Sequence, residues 1–531
     1  MKLKFTFLFL LALCLGTVAK AQTEVIIEPD VGFVNIIIMA DTNTDGSRVT
    51  PDAVYVLRRD GHYYFQGPFE NRGFKLHMKA EEGEGKRPYV QSYPDLEGNI
   101  AGNMITGYGD IEMENIYFDC DGPDPEARGG GRVLRSEFVG AKIEFTGCVF
   151  ANCGQNGVML PKATDYCKID NCLFVNQGII AFHDFGNGRV FDCRDSDINL
   201  FSLTNSTFVN NVDRIVRHRG GTGVMDTTIV DHCTVINSMA YHGFIELGAI
   251  GTSVQLTNLL MIDCMGLGSD STDGVRLLEL DAHTELDGAG NPRMVWVGSI
   301  PNDSTTFEIH NNIYTNRPAQ DEFFAWTGFV DEGPKWILTE HIKSKLSPED
   351  LATAWVKKDF DLPNIPNTPT DFYYFYWADP PDGAGKQKIT TAAVDMDSRG
   401  TEYWLDTLDC QLITDDQDFM GSDGVVIGDP YWESEISGTG VTNNYASGIE
   451  MLAFPNPVSD QINVRFTLDK SSSVSFDIYD ITGKSVRSIN AGHFAAGENS
   501  VVIQRENLRT GMYLLKMNSE TNSGITRISI K

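Results

Sequence analysis

A short phrase recurs along the middle of this chain and leaves little choice of architecture. It reads Asn115-Ile-Tyr-Phe118, Gly147-Cys-Val-Phe150, Asn171-Cys-Leu-Phe174, Asn205-Ser-Thr-Phe208, His232-Cys-Thr-Val235, Asn258-Leu-Leu-Met261 and Asn311-Asn-Ile-Tyr314. An Asn or Asp often follows two residues later: Asn152, Asn176, Asn210, Asn237, Asp263 and Asn316. Successive starts differ by 32, 24, 34, 27, 26 and 53 residues, and the last gap reads as two turns of the others. Such a period, with short β-branched runs between polar turns, is the mark of a solenoid. No Leu-rich or paired-helix pattern accompanies it. The reading that remains is a parallel β-helix, whose coils bury their apolar side only by stacking.

The chain has 531 residues, long enough for a solenoid with an appended module. Its net charge of −31 argues against nucleic acid as a partner, because phosphate contacts need Lys and Arg. An acidic surface suits divalent cations, and solubility alone also explains it. Lys2 and Lys4 precede an apolar run over residues 5–18, and Ala19-Lys20-Ala21 fits a cleavage site. Residues 1–21 therefore read as a signal peptide, with Gln22 the first mature residue. No other apolar stretch is long enough for a transmembrane segment, so an exported protein is expected, free or attached to the outer surface. Of ten Cys, Cys14 leaves with the signal, and the remaining odd number means at least one free thiol or an intermolecular bond. Cys148, Cys172 and Cys233 occupy one place in three phrases, which predicts a column of buried thiols.

Residues 22–100 read as an N-terminal cap and first coils, and residues 101–445 as the β-helix. A partly helical insertion falls near 319–380, where Ser347-Pro348-Glu349-Asp350 has the form of a helix start. Coil-like material is expected to resume before Gly428. Residues 452–531 alternate short strands with turns, as in a small antiparallel sandwich. The expected fold is all-β: a right-handed parallel β-helix solenoid followed by a small antiparallel β-sandwich.

Two resemblances follow. Phe454-Pro-Asn-Pro457, the turn at Thr482-Gly483-Lys484 and Gly511-Met-Tyr513 resemble the C-terminal sorting domain of the Bacteroidetes type IX secretion system. That resemblance implies a secretion machinery as partner, passage across the outer membrane and removal of this domain. The coils, over roughly 25–440, resemble the pectate-lyase-like superfamily through their architecture and the Asn-x-x-Phe-x-Asn phrase. That superfamily holds polysaccharide lyases, glycoside hydrolases, esterases and non-catalytic adhesins, so the fold alone leaves function open.

A second strand follows each phrase. Alternation predicts Leu134, Met159, Ile180, Val216 and Ile245 facing inward. Arg135, Leu160, Ala181, Arg217 and Glu246 then face outward, and two residues on stand Glu137, Lys162, His183, Arg219 and Gly248. With coils about 4.8 Å apart, Lys162, His183, Arg217, Arg219 and Glu246 would share an outer patch. Elimination at a uronate needs a neutralised carboxylate and a base for the adjacent proton. Arg217 or Arg219 could clamp the carboxylate bidentately, Lys162 or His183 could serve as base, and Arg135 and Glu246 would flank the substrate. Alginate- and chondroitin-type lyases of the superfamily are similar in using a Lys with an Arg on this face. A salt-bridged sheet with Arg217 on Glu246 is the plainer reading of the same residues, and His218 falls on the inward register.

Asp184, Asp192, Asp195 and Asp197 form an oxygen-rich group that could hold calcium as a bridge to a uronate. The loop from Asp41 to Asp52 has calcium-loop spacing, although Arg48 and Pro51 depart from that pattern. Phosphate-binding glycine loops, a zinc-protease motif and the paired-Asp signature of pectin hydrolases are not visible. Two functions stand side by side: a lyase acting on anionic polysaccharide, and a non-catalytic glycan-binding or adhesive surface protein.

Overall fold

The computed structural model describes residues 22–123, 130–178, 188–239, 245–264, 302–327, 340–378 and 404–436, and in the C-terminal region 451–454, 461–480, 484–519 and 523–530, apart from scattered single positions. A complete coil among the described residues lays down three short strands. One coil runs Ile111–Glu114, Tyr117–Asp119, Leu134–Ser136, and the next runs Ala141–Thr146, Val149–Ala151, Asn156–Met159. Equivalent strands pair in parallel, with Ile143 opposite Ile111, Val149 opposite Tyr117 and Val158 opposite Leu134. The first two walls merge into one 18-stranded sheet, and the third wall is a seven-stranded sheet from Phe69–Glu70 to Ile245–Leu247. The protein is a parallel β-helix.

The recurring phrase is the geometry of two corners. Its first residue sits at positive φ in Asn115 (57°), Gly147 (63°), Asn171 (52°), Asn205 (48°), His232 (48°) and Asn258 (57°). The residue closing the phrase does the same in Asn152 (57°), Asn176 (54°), Asn210 (57°), Asn237 (55°) and Asp263 (52°). Asn and Asp tolerate this left-handed conformation because a short polar side chain can bond locally. Between the corners there is room for a three-residue strand whose central aromatic points inward. Phe150 and Phe174 stack with centroids 4.4 Å apart, and Phe174 and Phe208 at 5.0 Å.

The second corner carries a ladder of buried amides. Asn176 donates to Asn152 at 3.1 Å, Asn210 to Asn176 at 3.1 Å and Asn237 to Asn210 at 2.9 Å. Asn152 donates to Asp119 at 3.0 Å, and Arg317 closes the other end on Asn237 at 2.6 Å. The ladder satisfies amide groups that would otherwise be stranded in the wall. Cys148, Cys172 and Cys233 are buried, as the phrase predicted.

Two expectations change. The 53-residue gap is a single coil, because Leu260–Ile262 pairs directly with Ile313–Thr315. Residues 404–432 do not resume coils but cross the outside of the wall built by the three-residue strands. That wall is apolar outward as well as inward. Val149, Leu173, Val209, Ile236 and Leu260 pack beneath Leu362, Leu408, Leu412, Phe419 and Ile427. The cover is pinned by polar contacts: Thr207 Oγ1 donates to Asp429 at 2.7 Å, and Asp429 N donates to Thr234 Oγ1 at 2.8 Å. Burying both sets of aliphatic side chains stabilises it, at roughly 25 cal/mol per Å². In the helical insertion, Ser347 caps Pro348–Thr353 by accepting from Asp350 N at 3.0 Å.

The C-terminal unit, residues 437–531, is separate. Met451–Phe454, Gln461–Leu468 and Gly497–Gln504 form one antiparallel sheet. Ser485–Phe494, Ser472–Asp480, Gly511–Asn518 and Ser523–Ile530 form the other. Val464 and Phe466 of the first share a core with Phe476, Ile478, Leu515 and Ile528 of the second.

Candidate functional site

The seven-stranded wall carries the predicted patch, in a different register. Its outward row runs Arg135, Met159, Asp192, Arg217, Glu246 across adjacent coils. Its inward row is Leu134, Val158, Phe191, Val216, Ile245, all within the main core. Val158 rather than Met159 faces in, and the coil between 159 and 217 contributes Arg189–Asp192 rather than residues 179–183. Both differences come from aligning strands on their apolar residues, where a one-residue slip exchanges faces. His183 and Asp184 lie outside the described residues. His218 is buried on the inward side, with Nε2 2.9 Å from Ser196 O.

Three residues before the outward row, a further line of polar side chains reaches the same wall: Arg132, Asn156, Arg189 and Arg214. Arg132 donates to Asn103 Oδ1 at 2.5 Å and also bonds Gln155. The Arg189 Nε lies 3.6 Å from the Asp192 carboxylate, and Arg214 hydrogen-bonds Glu246. The sequence reading gave no role to Arg132, Arg189, Arg194 or Arg214. The signal for Arg132, Arg189 and Arg214 is an Arg three residues ahead of Arg135, Asp192 and Arg217, and it becomes readable only once the register is known.

This wall is crowded with cations and short of water. Asp192 is fully buried, with Arg194 Nε at 3.1 Å. Burial pushes its carboxyl up, but Arg189, Arg217 and Arg194 together outweigh this and hold it below the ordinary carboxylate range. Burial, then the like charges of Arg214 and Arg189, push Arg217 down to about 9. Burial, with Arg135 beside it, pushes Arg132 down to about 10. A guanidinium stays protonated in proteins, so these depressions measure how strongly the wall disfavours its own charge. Arg189 is 6% exposed, and neither its Nε nor its Nη1 has a hydrogen-bond partner; Arg217 Nε has none either. Buried donors without partners are costly, and a planar anion would satisfy them.

The other predicted residues divide. Arg135 pairs with Glu137, and Lys162 Nζ is 3.8 Å from the same carboxylate. Lys162 sits in the bend after Asn156–Met159, two coils before the strand that carries Arg217. Arg219 faces Asp195 at 3.9 Å. Among the described aspartates, Asp192 is enclosed by arginines. Asp195 accepts from Gly221 N at 3.1 Å and Asp197 from Val224 N at 3.0 Å, so their oxygens serve loop backbone rather than one cation position. In the loop after Asp41, Arg48 reaches that carboxylate at 3.4 Å and Tyr55 donates to it at 3.0 Å, which places a cation where calcium was considered. Among the described residues, the group whose ligand atoms converge is His77, Glu112 and Glu114 on another wall, where Lys75 already pairs with Glu112.

No helix among the described residues is long and apolar enough to cross a membrane. A search of curated proteins gives no match to the chain. Residues 452–531 match the family described as the secretion system C-terminal sorting domain, within the separate antiparallel unit. That part of the chain is similar to such sorting domains, which indicates export by type IX secretion to the cell surface or beyond.

Proposed function

We propose that the β-helix binds an anionic polysaccharide along its arginine wall and cleaves it by β-elimination, with a uronate carboxylate seated against Arg189 and Arg217. The observation that carries this is the buried Arg189 guanidinium, whose Nε and Nη1 make no hydrogen bond, beside a second arginine depressed by burial and like charge. Neutralising the carboxylate acidifies the proton on the carbon next to it. A base, Lys162 or His183, takes that proton. The C–H electron pair becomes the new double bond, the C–O bond breaks, and the glycosidic oxygen leaves with that bond's electron pair and takes a proton from water. Arg135, Arg219 and Glu246 would line flanking positions.

A second reading, binding without cleavage, is favoured by one feature. Lys162 stands two coils from Arg217 with its Nζ turned to Glu137, and His218 points inward. The mature protein incubated with alginate, pectate and glycosaminoglycans, with and without calcium, separates the two. New ultraviolet absorbance from an unsaturated product supports elimination. Calorimetric binding without product supports the second reading, and neither signal removes both.

A further inference from the structure

Two buried thiols on neighbouring coils lie Sγ to Sγ. Cys120 and Cys153 are both fully buried, 33 residues apart, with their sulfurs 3.2 Å from one another. Cys120 N donates to Ala151 O at 3.0 Å, so the two corners are already locked in register by the backbone. Closing 3.2 Å to a bond of about 2.05 Å takes a small side-chain rotation. Cys148 and Cys172 are neighbours too, but there each Sγ has a closer carbonyl, Asp170 O at 3.3 Å from Cys172 and Met113 O at 3.5 Å from Cys148, whereas Cys153 Sγ reaches Ala151 O only at 3.8 Å and Cys120 Sγ donates to the Met104 sulfur at 3.8 Å.

We propose that Cys120 and Cys153 are joined by a disulfide in the exported protein. Export to the cell surface or beyond takes the chain out of the reducing cytoplasm, and disulfides form and persist there. The oxidant is a disulfide-bearing thiol oxidase. One cysteine, as thiolate, attacks the oxidase disulfide and expels one oxidase thiolate, giving a mixed disulfide. The second cysteine thiolate then attacks the substrate sulfur of that mixed bond and expels the other oxidase thiolate. Two protein thiols are oxidised, one oxidase disulfide is reduced to a dithiol, and the two thiol protons pass to the oxidase sulfurs or to water. Burial pushes the Cys120 thiol well above its usual range, so the exchange belongs to the folding chain, before the coils close over it. The bond would pin the corner from which the coil carrying Arg132 departs.

Protein collected outside the host cell, quenched in acid and alkylated in denaturant without reductant, tests this. The nine cysteines beyond the signal would show seven alkylated thiols, because the bond consumes two, and reduction would release the remaining pair. Peptide mapping should join the Cys120 and Cys153 peptides, and Cys120→Ser should leave every remaining thiol, Cys153 included, open to alkylation. Nine alkylated thiols in the exported protein, or a bond between any other pair, would overturn the assignment. The same chain made in a reducing cytoplasm should give nine, which shows that handling does not create the bond.

Discussion

Arg214, not Arg217, hydrogen-bonds the carboxylate of Glu246; the Arg217 Nε stays 3.9 Å from the same oxygen, although its strand position is the one in register with that glutamate. The Arg217 charge therefore keeps only the longer ion pair with Glu246, and the hydrogen bond goes to Arg214.

Replacing that charge tests ligand binding. Arg217→Ala and Arg189→Met should each weaken oligouronate binding at least about tenfold, about 1.4 kcal/mol by calorimetry. Arg189→Met should also lower thermal stability, by up to about 3–5 kcal/mol, because it removes one partner of a buried ion pair and leaves the Asp192 carboxylate less compensated. A lower melting temperature with binding intact would mean that Arg189 serves only the fold.

The amide ladder is expected to be a strong structural element. Asn176→Ala removes the bond to Asn152 and the one from Asn210, and it leaves a Cβ-bearing residue with no side-chain bonding at φ 54°. Stranded amides cost about 1–3 kcal/mol and the left-handed backbone about 1–2 kcal/mol. Chemical denaturation should show a loss of about 2–4 kcal/mol, of which Asn176→Gly recovers about 1 kcal/mol. Equal losses for Ala and Gly would show that the backbone conformation costs nothing there.

Phe174 stacks on Phe150 and Phe208 inside the coils, so Phe174→Ala should cost about 3–5 kcal/mol. Phe174→Leu should cost clearly less, because most of the volume is kept. The denaturation midpoints of the two variants provide the comparison.

Stability should fall as pH rises from about 4 to about 7, through Asp429. Burial, with Asp170 adding and the Thr207 bond opposing, raises its carboxyl from 3.8 to about 7. The native state therefore holds a proton that the unfolded chain releases at lower pH. The stabilisation is complete below about pH 4 and is lost as pH passes through about 7. At about 1.4 kcal/mol per unit the window spans on the order of 4 kcal/mol. Melting curves of the native protein and Asp429→Asn across this range should converge at low pH and separate at neutral pH. Parallel curves would show that Asp429 is ionised throughout.

Much of this was legible in the residues. The spacing of Asn115, Asn171, Asn205 and Asn258 announced corners at a solenoid period, because few residues besides Asn, Asp and Gly take positive φ readily. The Phe-Pro-Asn-Pro opening and the Gly-x-Tyr strand announced the exported module. The candidate site was legible only in part. Arg217 and Glu246 were placed on neighbouring strands correctly, but Arg189 was missed because the apolar run at 179–183 looked more like a strand than Arg189–Asp192 does.

The amino-acid sequence by itself determined that the chain coils, where it turns and that it leaves the cell, since corner conformation and export are encoded by local residue types. Tertiary structure alone decided which coil supplies Arg189, that Arg214 takes Glu246, and that residues 404–432 cover one wall. Those outcomes depend on register between strands tens of residues apart, and a shift of one residue carries a side chain from the core to the surface.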